Sequence, residues 1–104
     1  MSAYWVYITA SDAAEAAKIG RALVEERLAA CANVLDGMTS IYRWQGEVCE
    51  DPEAVLIAKT VQGRIAALTD RVKALHSYDC PCVVALPVAD GNADFLDWIA
   101  EQTE

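Results

Sequence analysis

The sequence predicts a single α+β domain, residues 1–104, in which an antiparallel sheet carries its two main helices on one face. Three observations lead to this prediction. The length of 104 residues suits one domain. Hydrophobic residues make up 55% and charged residues 23% of the chain, which is typical of a folded globule and not of a disordered chain. Segments of strand and helix character follow one another in the order βαββαβ, and a further short helix ends the chain.

The first strand and the first helix are predicted from residue type and spacing. Tyr4–Ala10 is rich in aromatic and β-branched residues, which favours a strand. Ser11 or Asp12 then supplies a side-chain oxygen that can cap the N–H groups at the start of a helix. Apolar residues at helical spacing predict that this helix runs from Ala13 to Ala30.

The middle of the chain is predicted to be a long β-hairpin. Cys31–Trp44 has strand character, with a bulge or bend expected at Asp36-Gly37. Gln45-Gly46 marks the turn. A partner strand is expected from Glu47 to Thr60, with an irregularity at Asp51-Pro52.

The last three elements are a helix, a strand and a short helix. An apolar stripe at helical spacing predicts a second helix that ends near His76, and its members are Ile65, Leu68, Val72 and Leu75. Cys82–Val88 is a short apolar run that predicts the fourth strand. Asp90-Gly91-Asn92 is expected to form a turn and a helix cap before a final helix whose apolar face comprises Phe95, Leu96 and Ile99. Two β-α-β halves in this order give the ferredoxin-like arrangement.

The predicted hairpin is too long for the domain that carries it. A globule of this length has a radius of gyration of about 13 Å and hence a diameter of roughly 33 Å. The strand Cys31–Trp44 reaches roughly 46 Å at about 3.3 Å per residue. Part of the ribbon should therefore project, and it carries Ile41, Tyr42 and Trp44 near its tip. Because an isolated ribbon is marginal in water, we expect it to lie against another subunit.

Charge and segment length exclude two classes of partner and indicate a location. The formal net charge of −8 argues against nucleic acid and against an anionic membrane surface, since both select basic proteins. The uncharged segment Cys80–Ala89 falls well short of the roughly 18–20 apolar residues of a membrane span. The first residues do not resemble a signal peptide, so a cytoplasmic protein with reduced thiols is expected.

Catalytic signatures are missing from the sequence. It has 5 glycines, but they form no phosphate-binding loop, and no nucleophile–base arrangement or paired-histidine motif is present. We therefore expect neither an enzyme nor an organic cofactor.

Several segments in order resemble the CutA family of divalent-cation tolerance proteins, and the match runs from about Val6 to Ile99. They are Val24–Asn33, Thr39–Gly46, Lys59-Thr60, Val72–Tyr78, Ala85–Val88 and Phe95–Trp98. The resemblance implies a ferredoxin-like subunit in a tight homotrimer, similar to that of the PII signalling proteins, with the long hairpins pairing across subunit boundaries. It also implies a cytoplasmic protein linked to tolerance of copper and other divalent cations.

His76, Cys80 and Cys82 are the candidate metal ligands. In an extended chain residues i and i+2 point the same way, so both sulfurs face one side about 7 Å apart and suit Cu(I) or Zn²⁺. His76, four residues upstream, would be a third ligand for copper or another divalent cation. The alternatives are a helix-capping histidine bonded to backbone and two small buried hydrophobes. Many CutA relatives have Val and Glu where this cysteine pair stands, Cys31 is expected to be buried packing, and Cys49 has no assigned role.

A second group of residues matches polar or aromatic positions of the family, which implies a ligand cleft between subunits: Tyr42, Trp44, Glu53, Lys59 and Tyr78. A lysine in an apolar strand needs a partner, because burying an unpaired charge is costly. Lys59 would either pair with Glu53 or Asp79 or bind a small anionic metabolite, as in the PII proteins. Two functions follow, a trimeric metal-binding protein and, alternatively, a PII-like sensor of an anionic metabolite.

Overall fold

The structure, a computed structural model that describes residues 2–104, has the predicted order of elements. A short 3₁₀ turn, Gln62–Arg64, leads into the second helix. The strands and helices are β1 (Ala3–Ala10), α1 (Ala13–Glu25), β2 (Cys31–Trp44), β3 (Glu47–Val61), α2 (Ile65–Leu75), β4 (Val83–Pro87) and α3 (Ala93–Gln102).

The four strands form one antiparallel sheet in the order β2-β3-β1-β4, as the ferredoxin-like prediction requires. Helices α1 and α2 cover one face of this sheet. Alternate residues of β1 and β3 point into that layer, since successive strand side chains point to opposite faces. The core that results is fully buried and includes Val6, Ile8, Leu56 and Ala58 from the sheet and Ile19, Leu23, Leu68 and Val72 from the helices.

Among residues 2–104, the other face of the sheet, here called the outer face, is covered by a helix only at its end near Ala3 and Val61, where Ile99 of α3 packs. Directly opposite residues of paired strands share a face, and the pairing places on this face Trp5, Tyr7, Thr9, Leu35, Lys59, Val84 and Leu86. The large apolar members Trp5, Leu35, Val84 and Leu86 are between 38% and 55% exposed. An open sheet face is usually polar, so these exposed apolar side chains are a distinctive feature of this one.

The hairpin projects beyond the sheet, as the sequence predicts. Strand β1 pairs with β3 only from Ala54 to Val61, so residues 38–44 and 47–53 pair with each other alone. We call these residues the ribbon. The long axis of the molecule is 44 Å, against 25 Å and 22 Å for the other two. The ribbon keeps Ile41, Trp44 and Val48 at least 60% exposed.

The expected bulge is present at Asp36-Gly37, where the register of β2 against β3 shifts by one residue between Leu35 and Met38. Gly37 has φ +78°, a left-handed conformation that glycine adopts without strain, and its N–H donates to the Asp36 carboxylate at 2.8 Å. The shift places Met38 opposite Glu53, which shares the face of Val55. The outer face therefore continues along the ribbon.

The irregularity expected at Asp51-Pro52 is not found, because the pairing of β2 with β3 is continuous there. This prediction was wrong for a simple reason. Since β1 pairs with β3 no further than Ala54, one edge of β3 is free at Pro52. A proline, which lacks an N–H, fits a free edge without breaking the ladder.

Helix α1 ends at Glu25 and not at the predicted Ala30. Arg27 takes a left-handed conformation with φ 59°, and the N–H of Leu28 then donates to the carbonyl of Leu23 at 2.9 Å. Residues 28–30 are apolar and buried although they are not helical. The apolar periodicity therefore continues past the end of the helix only because residues 28–30 are buried. Arg27 gave no sign that the helix ends, because glycine usually occupies the left-handed position at a helix C-terminus.

The last helix, α3, packs against the rest of the domain through a narrow stripe of apolar side chains. Ile99 is buried with Ala3, Ala30 and Val61, and Leu96 packs beside it. Phe95, which was expected on the buried face, is 42% exposed and stacks its ring 5.4 Å from that of Trp98. No helix within residues 2–104 is long and apolar enough to cross a membrane.

Candidate functional site

A cleft of about 650 Å³ lies where the outer face, the ribbon and the segment between α2 and β4 meet. Six of the eight predicted site residues line it, whereas His76 and Lys59 do not. The lining residues are Tyr7, Thr9, Met38, Thr39, Ser40, Ile41, Tyr42, Trp44, Glu53, Tyr78, Asp79, Cys80 and Cys82.

Two tyrosines of the cleft donate hydrogen bonds to carboxylates of β3. The Tyr42 hydroxyl donates to Asp51 Oδ2 at 2.5 Å, and the bond raises the pKa of Tyr42 to about 12. The Tyr78 hydroxyl donates to Glu53 Oε2 at 2.7 Å. Burial raises the pKa of Tyr78, and the bond to Glu53 raises it further. Both phenols therefore keep their protons at neutral pH, and Tyr78 fastens its segment to the ribbon.

His76 ends α2 beneath the cleft, and both nitrogens of its buried ring are engaged. Nε2 lies 2.7 Å from the carbonyl oxygen of Thr9, so it must donate, and Nδ1 accepts the N–H of Tyr78 at 3.0 Å. These bonds select the neutral ring with its proton on Nε2. They correspond to the backbone-bonded histidine that the sequence offered as an alternative to a ligand. In this position His76 fixes Tyr78, whose ring centroid lies 4.7 Å from its own.

Cys80 and Cys82 directly precede and follow Pro81 in the sequence, in the segment that leads from α2 into β4. Cys80 is exposed and Cys82 is half-buried, and neither forms a disulfide. Burial raises the pKa of the Cys82 thiol; a hydrogen bond with Thr9 opposes this shift and the charge of Glu53 adds to it. A metal ion that binds Cys82 must therefore displace a proton, as is usual for thiol ligands.

The cleft contains donor atoms for a metal ion, but these atoms do not form a preassembled site. Within residues 2–104, no three His, Cys, Asp or Glu side chains are grouped as metal ligands. The predicted set of His76, Cys80 and Cys82 is thus not assembled, because the histidine ring is used by backbone partners. The donors that do line the cleft are the thiols of the two cysteines, the thioether of Met38, and the carboxylates of Glu53 and Asp79. Sulfur donors of this kind suit copper and zinc.

Met38, Tyr7 and Thr9 are cleft residues that the sequence analysis missed. Tyr7 and Thr9 alternate with the buried residues of β1, and that alternation could have placed them on the outer face. Met38 had no comparable signal, because its face depends on the bulge that precedes it. In the structure its sulfur accepts the hydroxyl of Tyr7 at 3.6 Å.

Lys59 forms no ion pair with Glu53 or Asp79, which was one of the two alternatives that the sequence left open. Its Nζ donates instead to Asn33 Oδ1 at 2.5 Å. Glu53 lies six positions away on the same strand, which separates the two backbones by roughly 20 Å at about 3.3 Å per residue. Asn33 is a diagonal cross-strand neighbour, because Cys31 lies directly opposite Lys59. Lys59 is thus on the outer face but outside the cleft.

Comparison with known proteins gives one consistent family. A sequence model described as "CutA1 divalent ion tolerance protein" matches residues 4–102. The chain is 55% identical over 98 residues to the divalent-cation tolerance protein CutA of Thermus thermophilus, covering 94% of this chain and 95% of that protein. It is 43% identical to the human protein CutA, again over 94% of this chain but over 55% of the human protein, so it spans about half the length of that relative.

Solved structures agree with the sequence comparisons. The divalent cation tolerance protein of Thermus thermophilus superposes with a TM-score of 0.96 at 53% identity, covering 98% of this chain and 99% of that one. CutA from Archaeoglobus fulgidus, described as a periplasmic divalent cation tolerance protein, superposes with a TM-score of 0.95 at 40% identity over the same shares. A rice relative among the sequence matches is described as chloroplastic.

Proposed function

The chain belongs to the CutA1 divalent ion tolerance family, and from this premise we propose that it contributes to tolerance of divalent cations by binding a metal ion in its cleft, with copper as the leading candidate. One observation supports the proposal above the others. Cys80 and Cys82 line the same cleft as the carboxylates of Glu53 and Asp79. The family is named for a tolerance and not for a reaction, so the proposed role is binding without catalysis.

The proposed ligands are the thiolates of Cys80 and Cys82. Glu53 and Asp79 make the cleft negative, which favours a cation, and the formal net charge of −8 acts in the same direction. We assign His76 a positioning role in place of the predicted ligand role. Its bond to the N–H of Tyr78 holds the start of the segment that carries both cysteines.

The proposed state is a homotrimer. The support is the apolar outer face together with the ribbon, both of which expose large apolar side chains. Large apolar side chains exposed together favour an interface, and a second copy of the chain has the matching apolar character. We also propose the cytoplasm as the location, since a reducing compartment keeps the two ligand thiols available for metal.

A PII-like sensor of an anionic metabolite is not carried forward as a second function. That hypothesis relied on Lys59 as the cation of the cleft, but Lys59 is bonded to Asn33 outside it. An anion in the cleft would instead meet Glu53 and Asp79.

Anaerobic titration of the reduced protein with Zn²⁺, and with copper supplied as Cu(I) because Cu²⁺ would oxidise the free thiols, tests the proposed function. We expect a dissociation constant below about 10 μM, and at least tenfold weaker binding in the double variant Cys80→Ser/Cys82→Ser. The matched control is Cys31→Ser/Cys49→Ser, which removes two thiols outside the cleft. Repeating the titration at high salt removes nonspecific attraction to the acidic surface. Binding that is absent, or equally weakened in both double variants, contradicts metal binding in the cleft.

A further inference from the structure

We propose that the cleft binds copper as Cu(I), with the Met38 thioether as a third ligand beside the thiolates of Cys80 and Cys82. This inference rests on the proposed function and deepens it, because it names the oxidation state of the ion and one more ligand.

The bulge at Asp36-Gly37 places Met38 in the cleft. Without the one-residue shift between Leu35 and Met38, the side chain of Met38 would point to the opposite face of the ribbon, since side chains alternate along a strand. With the shift, Met38 is half-buried and lines the same cleft as Cys80 and Cys82.

Tyr7 holds the Met38 sulfur in position. Its hydroxyl donates to Sδ at 3.6 Å, across 31 positions of sequence. A thioether sulfur has two lone pairs, so one remains for a metal ion while the other accepts this bond. A methionine is otherwise one of the most flexible side chains, and a fixed Sδ lowers the entropic cost of binding.

The softness of the three donors points to Cu(I). Thiolate and thioether sulfur select Cu(I), whereas a neutral thioether adds little to Zn²⁺ or to other harder divalent ions. Among the harder donors nearby, Glu53 accepts a hydrogen bond from Tyr78 and both nitrogens of His76 are engaged, which leaves the carboxylate of Asp79. Two sulfurs would serve zinc and Cu(I) alike, so the third sulfur is what distinguishes them.

The binding step transfers no electron. Cu⁺ replaces the protons of the two thiols, which leave to solvent, and forms two Cu–S bonds to thiolates and one to the neutral thioether. Copper has to arrive already reduced, which the proposed cytoplasmic location provides.

The test compares Cu(I) and Zn²⁺ in one variant. Met38→Leu keeps the size of the side chain and removes only the sulfur. In anaerobic competition with a chromophoric Cu(I) chelator we expect Met38→Leu to weaken Cu(I) binding by about tenfold or more while the Zn²⁺ dissociation constant changes less than about twofold. Copper K-edge X-ray absorption on the wild-type protein should show three sulfur neighbours and needs no variant to fold.

The outcomes separate this inference from the proposed function. Unchanged Cu(I) binding in Met38→Leu, or only two sulfur neighbours in the wild-type spectrum, overturns the thioether ligand and leaves the cysteine site intact. An equal loss of Cu(I) and Zn²⁺ in Met38→Leu also overturns it, since that result indicates a packing defect. If the wild-type protein binds neither ion in the cleft, the proposed function itself is contradicted.

Discussion

Glu15 joins the start of α1 to the segment that carries the two cleft cysteines. Its carboxylate accepts the N–H and the hydroxyl of Ser11 at 3.0 and 2.9 Å, and it accepts the N–H of Ser77 at 2.8 Å. Burial alone would raise the pKa of Glu15, but these bonds outweigh it and lower the pKa to about 2. The carboxylate is thus a link between two elements that lie far apart in the sequence.

Glu15→Gln should make the protein less stable in a pH-dependent manner. The pKa of about 2 in the folded state lies below the usual value of 4.5, so the charge stabilises the fold fully above pH 4.5, and this contribution is lost as the pH falls toward 2. After allowance for solvent screening we expect a loss of about 1–2 kcal/mol at pH 7 that shrinks toward zero near pH 2. Urea unfolding across this pH range measures the difference, with Glu25→Gln, an exposed site on the same helix, as control. A constant difference across the range would contradict the assignment.

Single residues show how far sequence reasoning reaches. The i, i+2 spacing of Cys80 and Cys82 was enough to expect them near one another, and both line the cleft, although Cys80 lies in a bend and not in an extended strand. The neighbours of Lys59 and Met38 could not be found in this way, since Asn33 and Tyr7 are set by strand register and by a bulge. His76 lay between these cases: its place at the end of α2 was predictable, whereas its bond to Thr9 was not.

At the scale of elements, α1 packs closely against the sheet at Gly20. A Cβ at this position would lie 3.0 Å from Leu56 Cδ1 and 3.2 Å from Ala32 Cβ. Leu56 is fully buried and Ala32 belongs to a strand, so neither can move aside at little cost. The absence of a side chain at Gly20 therefore sets the distance between helix and sheet.

Gly20→Ala should be destabilising although alanine favours a helix. The gain in helix propensity is about 1 kcal/mol, while overpacking typically costs about 1–3 kcal/mol, so we expect a net loss and a lower Tm. Gly63→Ala is the matched control, because a Cβ there meets nothing within 4 Å and its effect should stay within about 0.5 kcal/mol. Thermal unfolding of both variants decides the matter. A Gly20→Ala protein as stable as the control would show that the helix can shift outward freely.

The secondary-structure elements were predicted best where the length of a segment or its turn-forming residues determine them. The hairpin turn is a case in point: Gln45 and Gly46 both have positive φ, the pattern of a two-residue hairpin turn, and Gln45-Gly46 was the predicted turn. The end of α1 was not predicted, because a left-handed arginine has no signature in the sequence. Apolar periodicity reports which residues are buried, and it does not report whether the chain is still helical.

At the scale of the whole molecule, the outer face and the ribbon expose large apolar side chains, and a trimer of the chain is proposed to cover them. Sedimentation at micromolar concentration should give three times the 11.3 kDa mass of the chain. The double variant Ile41→Lys/Val48→Lys puts two charges on ribbon positions that are 68% and 66% exposed in a single chain, and it should dissociate the assembly. Ala17→Lys, exposed on α1, is the control and should leave the mass unchanged. A wild-type protein that sediments as a monomer would contradict the trimer.

Copper in the cleft is the claim on which the functional conclusions depend, and anomalous X-ray scattering at the copper edge tests it most directly. Crystals of the reduced protein equilibrated with copper under reducing conditions should show one strong peak per chain within bonding distance of the sulfurs of Cys80 and Cys82. A peak only at Cys31, at Cys49 or at surface carboxylates, or no peak at all, would contradict the claim.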